Sequence, residues 1–185
     1  MQFADHSKIS GDRTLFERDL QVEGSPEEEF NPGIAGKLPR KNVASGALIR
    51  DTRGRILFVV PTYKPFLEIP GGLTEDDESP LAACRREVDE ELGIRIEVTK
   101  LLLIDWMPTQ GVWRDSVQLI FDGGVLTDEQ VDTIRLGHGE IGNVEFLSPE
   151  ECAPHLRPSM ARRVKLAHDA LSNDMPVYAE FGRQV

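Results

Sequence analysis

An acidic stretch between Gly72 and Ile94 limits what the chain can fold into more than any other feature. Three of its glutamates, Glu87, Glu90 and Glu91, are spaced three and one residues apart. In an α-helix this spacing places the carboxylates on one face, where like charges repel by roughly 0.2–0.5 kcal/mol per pair. A hard divalent cation such as Mg²⁺, which takes oxygen ligands, would compensate for this repulsion. The stretch therefore predicts a helix that presents carboxylates to a cation.

Local signals mark where this helix begins and ends. Ser79 followed by Pro80 is a favourable pair for a helix start, and Gly93 is a favourable residue just past a helix end. Apolar residues between them recur at intervals of three and four, which predicts one buried stripe suited to packing on a sheet. The stripe contains Leu81, Cys84, Val88 and Leu92. We therefore expect a helix that buries one side and presents its glutamates at a cleft.

The whole stretch resembles the box of the Nudix hydrolase family, G-x5-E-x7-R-E-U-x-E-E-x-G-U, in which U is an aliphatic residue. Every fixed position is matched, by Gly72, Glu78, Arg86, Glu87, Val88, Glu90, Glu91, Gly93 and Ile94. An isolated pair of glutamates would more simply indicate a solvated acidic helix, and the complete pattern argues against that interpretation. The resemblance implies hydrolysis of a diphosphate that links a nucleoside to another moiety, with one or more Mg²⁺ or Mn²⁺ ions bound by glutamates of the box.

The resemblance also implies which residues form the site. Glu87, Glu90 and Glu91 are the expected metal ligands and catalytic residues, and Glu87 and Glu91 best match the metal positions of the family. Gly71 and Gly72 are candidate substrate-binding residues, because glycine lets a backbone approach a phosphate closely. Gly72 is also a candidate carbonyl ligand of the metal. The alternative for both glycines is that they only form a turn.

Further candidates lie at the edge of the box or outside it. Arg86 is a candidate substrate-binding residue, but an ion pair with an acidic partner such as Glu78 is favoured. Glu140 follows a glycine-rich segment where a number of Nudix enzymes carry an additional glutamate, so it is a candidate catalytic base or metal ligand. A solvated loop glutamate is the alternative, and His138 beside it is a weaker candidate. Trp106 is a candidate for stacking on a nucleobase, with packing in the core favoured instead. The same two alternatives apply to Tyr63, Phe66 and Trp113.

The substrate is less constrained than the reaction. Residues 68–72, EIPGG, resemble the corresponding segment of ADP-ribose pyrophosphatases, and Pro108 lies close to where a proline occurs in members acting on ADP-ribose. ADP-ribose or a related nucleotide is therefore the leading substrate. One alternative is a pyrophosphohydrolase that sanitises nucleoside triphosphates, and another is a non-catalytic module that senses a nucleotide. An isomerase of the isopentenyl diphosphate type is disfavoured, because Cys84 belongs to the predicted buried stripe.

Composition excludes several other classes of function. The 185 residues suggest one domain, and the formal net charge of −11 argues against a nucleic-acid binder. No apolar run is long enough to span a membrane, and the N-terminus lacks the pattern of a signal peptide. Cys84 and Cys152 lack the spacing of a metal or redox pair. We therefore expect a cytoplasmic protein that binds a nucleotide-type small molecule and neither nucleic acid nor membrane.

The chain divides into an arm and a core. Residues 1–41 are predicted to form an N-terminal arm, either a mobile leader or a segment that packs on a neighbouring subunit. By analogy with the family, we expect a homodimer. Residues 42–185 are predicted to form the Nudix hydrolase domain with a C-terminal helical segment. Within the arm, the segment 13–22 fits either a strand or a short helix.

Alternating apolar residues predict a sheet around the acidic helix. The predicted strands are residues 43–50, 55–61, 96–106, 117–121 and 143–147. A capping pattern at Ser148 predicts a short helix, and an apolar face predicts another from Ser159 to Leu171. The expected fold class is α/β, a Nudix-type α/β/α sandwich with a mixed β-sheet.

Overall fold

The computed structural model describes residues 13–25, 28–98, 100–137 and 139–185. The strands in these segments are β1 (Asn42–Asp51), β2 (Ile56–Pro61), β3 (Gly71–Leu73), β4 (Leu101–Met107), β5 (Ser116–Leu126), β6 (Ile141–Leu147), β7 (Val177–Glu180) and β8 (Arg183–Gln184). The α-helices are α1 (Arg13–Val22), α2 (Pro80–Leu92), α3 (Asp128–Asp132) and α4 (Pro158–Asp169). Within these segments, no helix combines the length and the apolar character that crossing a bilayer requires.

The strands form one mixed sheet in the order β6-β2-β1-β5-β4-β7-β8, and β3 pairs separately with β1. Strands β1 and β5 run parallel, as do β4 and β7, while the remaining pairs are antiparallel. Strands β1 and β2 are joined as an antiparallel hairpin, and β4 pairs with β5. Because β3 adds to β1, it brings Gly71 and Gly72 beside the centre of the sheet.

Helices cover both faces of the sheet. On one face, α2 packs its buried stripe against alternate residues of β1 such as Ala47 and Ile49. On the other face, Val164 and Ala167 of α4 pack with Leu48 of the same strand. Because successive strand residues point to opposite faces, one strand contributes to both cores. The α/β/α sandwich with a mixed sheet is confirmed.

Helix α2 follows its local signals closely. The Ser79 hydroxyl accepts a hydrogen bond from the Ala82 N–H at 3.2 Å, and Pro80 occupies the first turn. Gly93 ends the helix with φ 64°, a left-handed conformation that favours glycine, and its N–H donates to the Asp89 carbonyl at 2.9 Å. Three of the four predicted stripe residues are fully buried and Leu81 is partly buried. The predicted start, end and buried face of α2 are therefore confirmed.

Several predicted elements differ from the structure. The Ser148 hydroxyl and the Glu151 carboxylate do bond to each other, but a turn and a 3-10 helix (Ala153–His155) follow instead of an α-helix. Pro154 explains this, because proline lacks an N–H and disfavours the α conformation of the residue before it. The segment 96–98 lies outside β4, which begins only at Leu101. The C-terminal segment adds β7 and β8 to the sheet, where only helical structure was predicted.

The arm contains α1, so the ambiguous segment 13–22 is helical. Its described side chains, from residue 17 to residue 41, are exposed. Residues 1–12, 26 and 27, together with Thr99 and His138, lie outside the described residues, so the candidate role of His138 falls there too. The division into an arm and a core stays a prediction.

Candidate active site

Four predicted glutamates line one cavity of about 280 Å³. Glu87, Glu90 and Glu91 project from α2, and Glu140 lies just before β6. Gly137 permits this arrangement, since a Cβ atom there would lie 1.8 Å from the Glu90 carbonyl oxygen. Only glycine lets the loop before β6 approach the end of α2 so closely. The structure therefore brings together the glutamates of the box and the additional glutamate outside it.

Glu91 is the most deeply placed of these carboxylates. Its Oε2 accepts a hydrogen bond from the Gly71 N–H at 3.0 Å. Burial is the main cause that raises the pKa of Glu91, to about 7, and the Gly71 hydrogen bond acts in the opposite direction. The negative charges of Glu87 and Glu140 also raise this pKa, and the positive charge of Lys64 lowers it. A smaller part of the shift therefore comes from the negative charges of neighbouring carboxylates. A cation placed among them would be strongly attracted.

Gly71 and Gly72 lie directly against the carboxylates and the central strand. A Cβ atom on Gly72 would lie 2.4 Å from Oε1 of Glu87, and one on Gly71 would lie 2.3 Å from the Ser45 carbonyl oxygen. Glu87 is half-buried, and burial is the main cause that raises its pKa. Both glycines therefore do more than form a turn, because any side chain at Gly72 would displace the Glu87 carboxylate.

Arg86 uses all five of its N–H donors within the protein. Nε and Nη2 donate to the two oxygens of Glu78 at 2.8 and 2.9 Å, and Nη2 also donates to the Leu73 carbonyl at 3.1 Å. Nη1 donates to Glu87 at 2.8 Å and to Glu90 at 3.0 Å. The favoured ion pair with Glu78 is present, and no donor is left over for a substrate. Arg86 thus offsets part of the repulsion that the sequence led us to assign to a cation alone.

The donor set of this cavity suits a hard divalent cation. Arg86 binds one oxygen each of Glu87 and Glu90, and the Gly71 N–H binds one oxygen of Glu91, so each carboxylate has a second oxygen that can serve as a ligand. Within the part of the chain that the structure describes, no three acidic, histidine or cysteine side chains already enclose a cation position. Metal binding would therefore have to draw these carboxylates together.

A second cavity of about 110 Å³ continues from the carboxylates. Glu91 and Ile141 line both cavities, and the second one extends past Gly71, Gly72 and Ser45. The Ser45 hydroxyl is buried and has no hydrogen-bond partner among the described residues. The arrangement offers a path that leads away from the carboxylates toward β5 and α4.

The aromatic candidates are distributed differently from one another. Tyr63 lines the second cavity, and Trp113 lines a third one between the start of α4 and the connection from β4 to β5. Trp106 lies on β4, where its Nε1 donates to the Asp115 carboxylate at 3.3 Å, and it lines neither the carboxylate cavity nor the second cavity. The structure therefore brings the four glutamates and the two glycines together but leaves Trp106 apart from them.

Sequence reasoning overlooked two cationic residues of this region. Lys64 lines the second cavity, pairs with Glu68 at 2.9 Å and acts on the charge of Glu91. Arg163 of α4 lines the same cavity while its side chain is only 5% exposed. Neither residue belongs to a motif, and a lone lysine or arginine in a polar segment normally indicates a solvated side chain.

Comparisons with known proteins bear on the family of this chain. A family model described as the NUDIX domain matches residues 40–167. A MutT-like protein of Streptomyces ambofaciens is 30% identical over 142 residues, which cover 75% of this chain and 84% of the relative.

Solved structures share the fold. The MutT protein from Methanosarcina mazei Go1 has a TM-score of 0.60 and 21% identity, and the match covers 74% of this chain and 99% of that one. A UDP-X diphosphatase has a TM-score of 0.62 and 18% identity, and the match covers 90% of this chain and 82% of that one. At these identities the two structures are evidence for the architecture alone.

Proposed function

The chain belongs to the Nudix family, as a Nudix pyrophosphohydrolase, and from that premise we propose that it hydrolyses the pyrophosphate bond of a nucleoside diphosphate derivative, with ADP-ribose or a related nucleotide as the leading substrate. The observation that carries the proposal is the cavity in which Glu87, Glu90, Glu91 and Glu140 meet beside Gly71 and Gly72. An anionic diphosphate could not approach such a cavity without positive charge. Nudix hydrolases generally use divalent metals, which supply that charge.

We propose Mg²⁺, or Mn²⁺, as the metal, with Glu87, Glu90 and Glu91 as its ligands and the backbone carbonyl of Gly72 as a further candidate. When bound, the metal would neutralise phosphate oxygens and lower the pKa of a coordinated water. Carboxylate oxygens are the ligands that both ions prefer. The position of Glu91 supports this assignment: burial, with the neighbouring charges of Glu87 and Glu140, raises its pKa to about 7, and a bound cation would stabilise its charged form.

The remaining residues have distinct proposed roles. Glu140 is the proposed general base. It lines the same cavity from the loop before β6, facing the glutamates of α2, and can accept a proton from an attacking water. Arg86 is a positioning residue, because its guanidinium holds Glu87 and Glu90 and has no free donor. Gly71 and Gly72 are proposed to leave room for the substrate phosphates. Trp106 has no support from the geometry as a stacking residue.

A second candidate function is the hydrolysis of nucleoside triphosphates. It stays open because the complete box indicates the reaction and not the leaving group. The segment 68–72 and the second cavity beyond Gly71 support the first candidate instead, since a moiety on the far side of the diphosphate needs space there.

We also propose that the N-terminal arm contacts a second copy of the chain. Val22 and Phe30 are 82% and 96% exposed, and Ile34 and Leu38 are exposed as well. Burial of these apolar side chains against another subunit would stabilise a dimer. Sedimentation analysis of the full chain and of Phe30→Asp tests this, since a monomeric wild type would contradict it.

Product analysis of the purified protein with Mg²⁺ tests the proposed reaction. The panel contains ADP-ribose, NADH, diadenosine polyphosphates, nucleotide sugars and nucleoside triphosphates. Glu91→Gln serves as the inactive variant, and Glu150→Gln, which alters an exposed turn glutamate, serves as its matched control. Release of AMP from ADP-ribose, dependent on metal and on Glu91, is the expected result.

Other outcomes separate the alternatives. Faster turnover of triphosphates would favour the second candidate function and leave the assignment of the glutamates intact. A folded wild type that binds nucleotides but hydrolyses none of the panel would overturn the proposed reaction.

A further inference from the structure

A third cavity, of about 230 Å³, lies between the start of α4 and the connection from β4 to β5. The second and third cavities share four lining residues, Glu68, Gln118, Met160 and Arg163. Since Glu91 lines the second cavity, the three cavities form a series that begins at the carboxylates and ends at α4. The far cavity therefore lies where a substrate would extend beyond its scissile diphosphate.

Arg163 lines this region and has only weak acceptors for two of its three nitrogens. Its Nε donates to the buried Asp105 carboxylate at 2.8 Å, whereas Nη1 and Nη2 contact only the sulfur atoms of Met160 and Met107. A thioether is a weak acceptor, so the four N–H groups of the two amino nitrogens have no oxygen partner among the described residues. Helical side chains lean toward the helix N-terminus, which places this guanidinium by the first turn of α4.

The first turn of α4 adds backbone donors to the same cavity. The helix begins at Pro158, and Arg157 at the N-cap provides no side-chain acceptor. The N–H groups of Ser159 and Met160 have no acceptor in the segments that the structure describes, and both residues line the cavity. The start of a helix carries a partial positive charge and unpaired N–H groups, which together favour an anion.

The charged side chains that line this cavity are mainly positive, whereas the chain as a whole carries a negative net charge. The formal net charge is −11, yet Arg114, Arg157 and Arg163 all line the third cavity. Glu68 is a lining carboxylate, and Lys64 neutralises it at 2.9 Å. Neither Arg114 nor Arg157 has a carboxylate partner in the described part of the chain. We name this cavity, with its three arginines and the first turn of α4, the basic cavity.

We propose that the basic cavity binds a further phosphate group of the substrate, beyond the pyrophosphate that is cleaved. The inference rests on the proposed function and, within it, favours related nucleotides that carry a further phosphate, for example dinucleoside polyphosphates, over ADP-ribose, whose two phosphates both belong to the cleaved bond. Forked arginine donors and helix N–H groups match the several oxygens of a phosphate. A free anion that binds independently of the substrate has the same chemistry, so the experiment must distinguish these two sources.

A structural role for Arg163 must be separated from recognition. The pair with Asp105 joins α4 to β4, and a lysine at position 163 would keep that charge while losing the fork of donors. Arg163→Lys is therefore the informative variant, together with the double variant Arg114→Gln, Arg157→Gln. Arg53→Gln is the matched control, because it removes a positive charge at an exposed turn between β1 and β2.

The first measurement compares kcat/KM for diadenosine tetraphosphate and diadenosine diphosphate with Mg²⁺. These substrates differ only in the number of phosphates. The wild type should prefer the tetraphosphate, and Arg163→Lys and the double variant should each reduce that preference about tenfold or more, mainly through KM. Arg53→Gln should keep the preference. Equal losses on both substrates, or an unchanged preference, would overturn the proposal.

The second measurement uses inorganic tripolyphosphate in the presence of a chelator, so that metal-bound carboxylates do not contribute. Calorimetry should detect binding to the wild type and to Arg53→Gln, and at least tenfold weaker binding to the double variant. Binding without any effect on substrate preference would indicate a separate anion site and overturn the assignment to the substrate. If no nucleotide is hydrolysed, the proposed function fails, and a lack of tripolyphosphate binding would then reject the basic cavity as well.

Discussion

The three connected cavities form one cleft, with the carboxylate cavity at its α2 end and the basic cavity at its α4 end. The charged groups of these two ends are assembled in different ways. At the α2 end, Glu87, Glu90 and Glu91 lie within five residues of one another, and Arg86 on the same helix holds two of them. At the α4 end, the basic cavity combines residues from a loop, two strands and a helix that are far apart in sequence. The comparison teaches that a charge constellation carried by one helix can be predicted from its spacing, whereas one assembled across the sheet cannot.

The charge at each end is also compensated differently. The carboxylates at the α2 end repel one another, and Arg86 offsets only part of that repulsion, so the cavity retains a demand for cations. Arg163 at the α4 end is compensated through one of its nitrogens, by Asp105, and retains a demand for an anion. An extended substrate with bound metal would satisfy both demands at once.

The largest effect is expected from Glu140→Gln. A glutamine keeps the shape of the side chain but cannot accept the proton from water, so kcat should fall about 10³-fold on any substrate that is turned over. Steady-state kinetics with Mg²⁺ measures the loss. Glu97→Gln, which alters an exposed glutamate before β4, should leave kcat within about twofold. A loss below tenfold for Glu140→Gln would return this residue to the alternative of a solvated loop glutamate.

The next largest effect is expected from the buried ion pair between Arg163 and Asp105, which joins α4 to β4. Asp105→Asn removes the counter-charge of buried Arg163 and weakens the acceptor of the Gly182 N–H, so the free energy of unfolding should fall by about 3 kcal/mol. Urea denaturation measures it.

Asp169→Asn is the matched control for this anchor, since it breaks the exposed pair with Lys165 on the same helix. The control should change the free energy of unfolding by less than about 0.5 kcal/mol. Similar small changes in both variants would mean that the α4 end is held by apolar packing alone.

The features of the fold and of the site that the sequence predicts correctly are those that depend on interactions between residues close together in the chain. The caps at Ser79 and Gly93 and the stripe of α2 depend on neighbours within the helix, so its limits and its buried face were predictable. The helix predicted at Ser148 was wrong because Pro154 outweighs a correct capping pattern. The burial of Arg163 depends on Asp105, 58 residues away, and no pattern around position 163 indicates it.

Gly72→Ala probes the α2 end without changing any charge. The added Cβ would lie 2.4 Å from the Glu87 carboxylate, which would have to move, so kcat/KM should fall about 10²-fold while the fold is retained. Gly36→Ala is the control, because a Cβ atom there meets nothing within 4 Å. Kinetics and circular dichroism of both variants check the prediction. Full activity of Gly72→Ala would show that the position of Glu87 against this backbone is unimportant.

The smallest effect is expected from the pH dependence that Glu91 gives to the free energy of unfolding. It tests whether this carboxylate is placed for function at a cost in stability. The native pKa of Glu91, about 7, lies above its ordinary value of 4.5, so between these pH values the metal-free native state holds a proton that the unfolded state releases. The free energy of unfolding should therefore fall as pH rises through this window, by about 2 kcal/mol from this group. Glu91→Gln should be more stable than the wild type by that amount at pH 8 and equal to it at pH 4.5, whereas Glu150→Gln should follow the wild type.

Thermal and urea denaturation with a chelator measure this difference in stability. Parallel pH profiles for Glu91→Gln and the wild type would show that the buried carboxylate carries no such penalty. Because an excess of Mg²⁺ should stabilise the wild type more than Glu91→Gln, the same residue would lower stability in the empty protein and raise it in the loaded one.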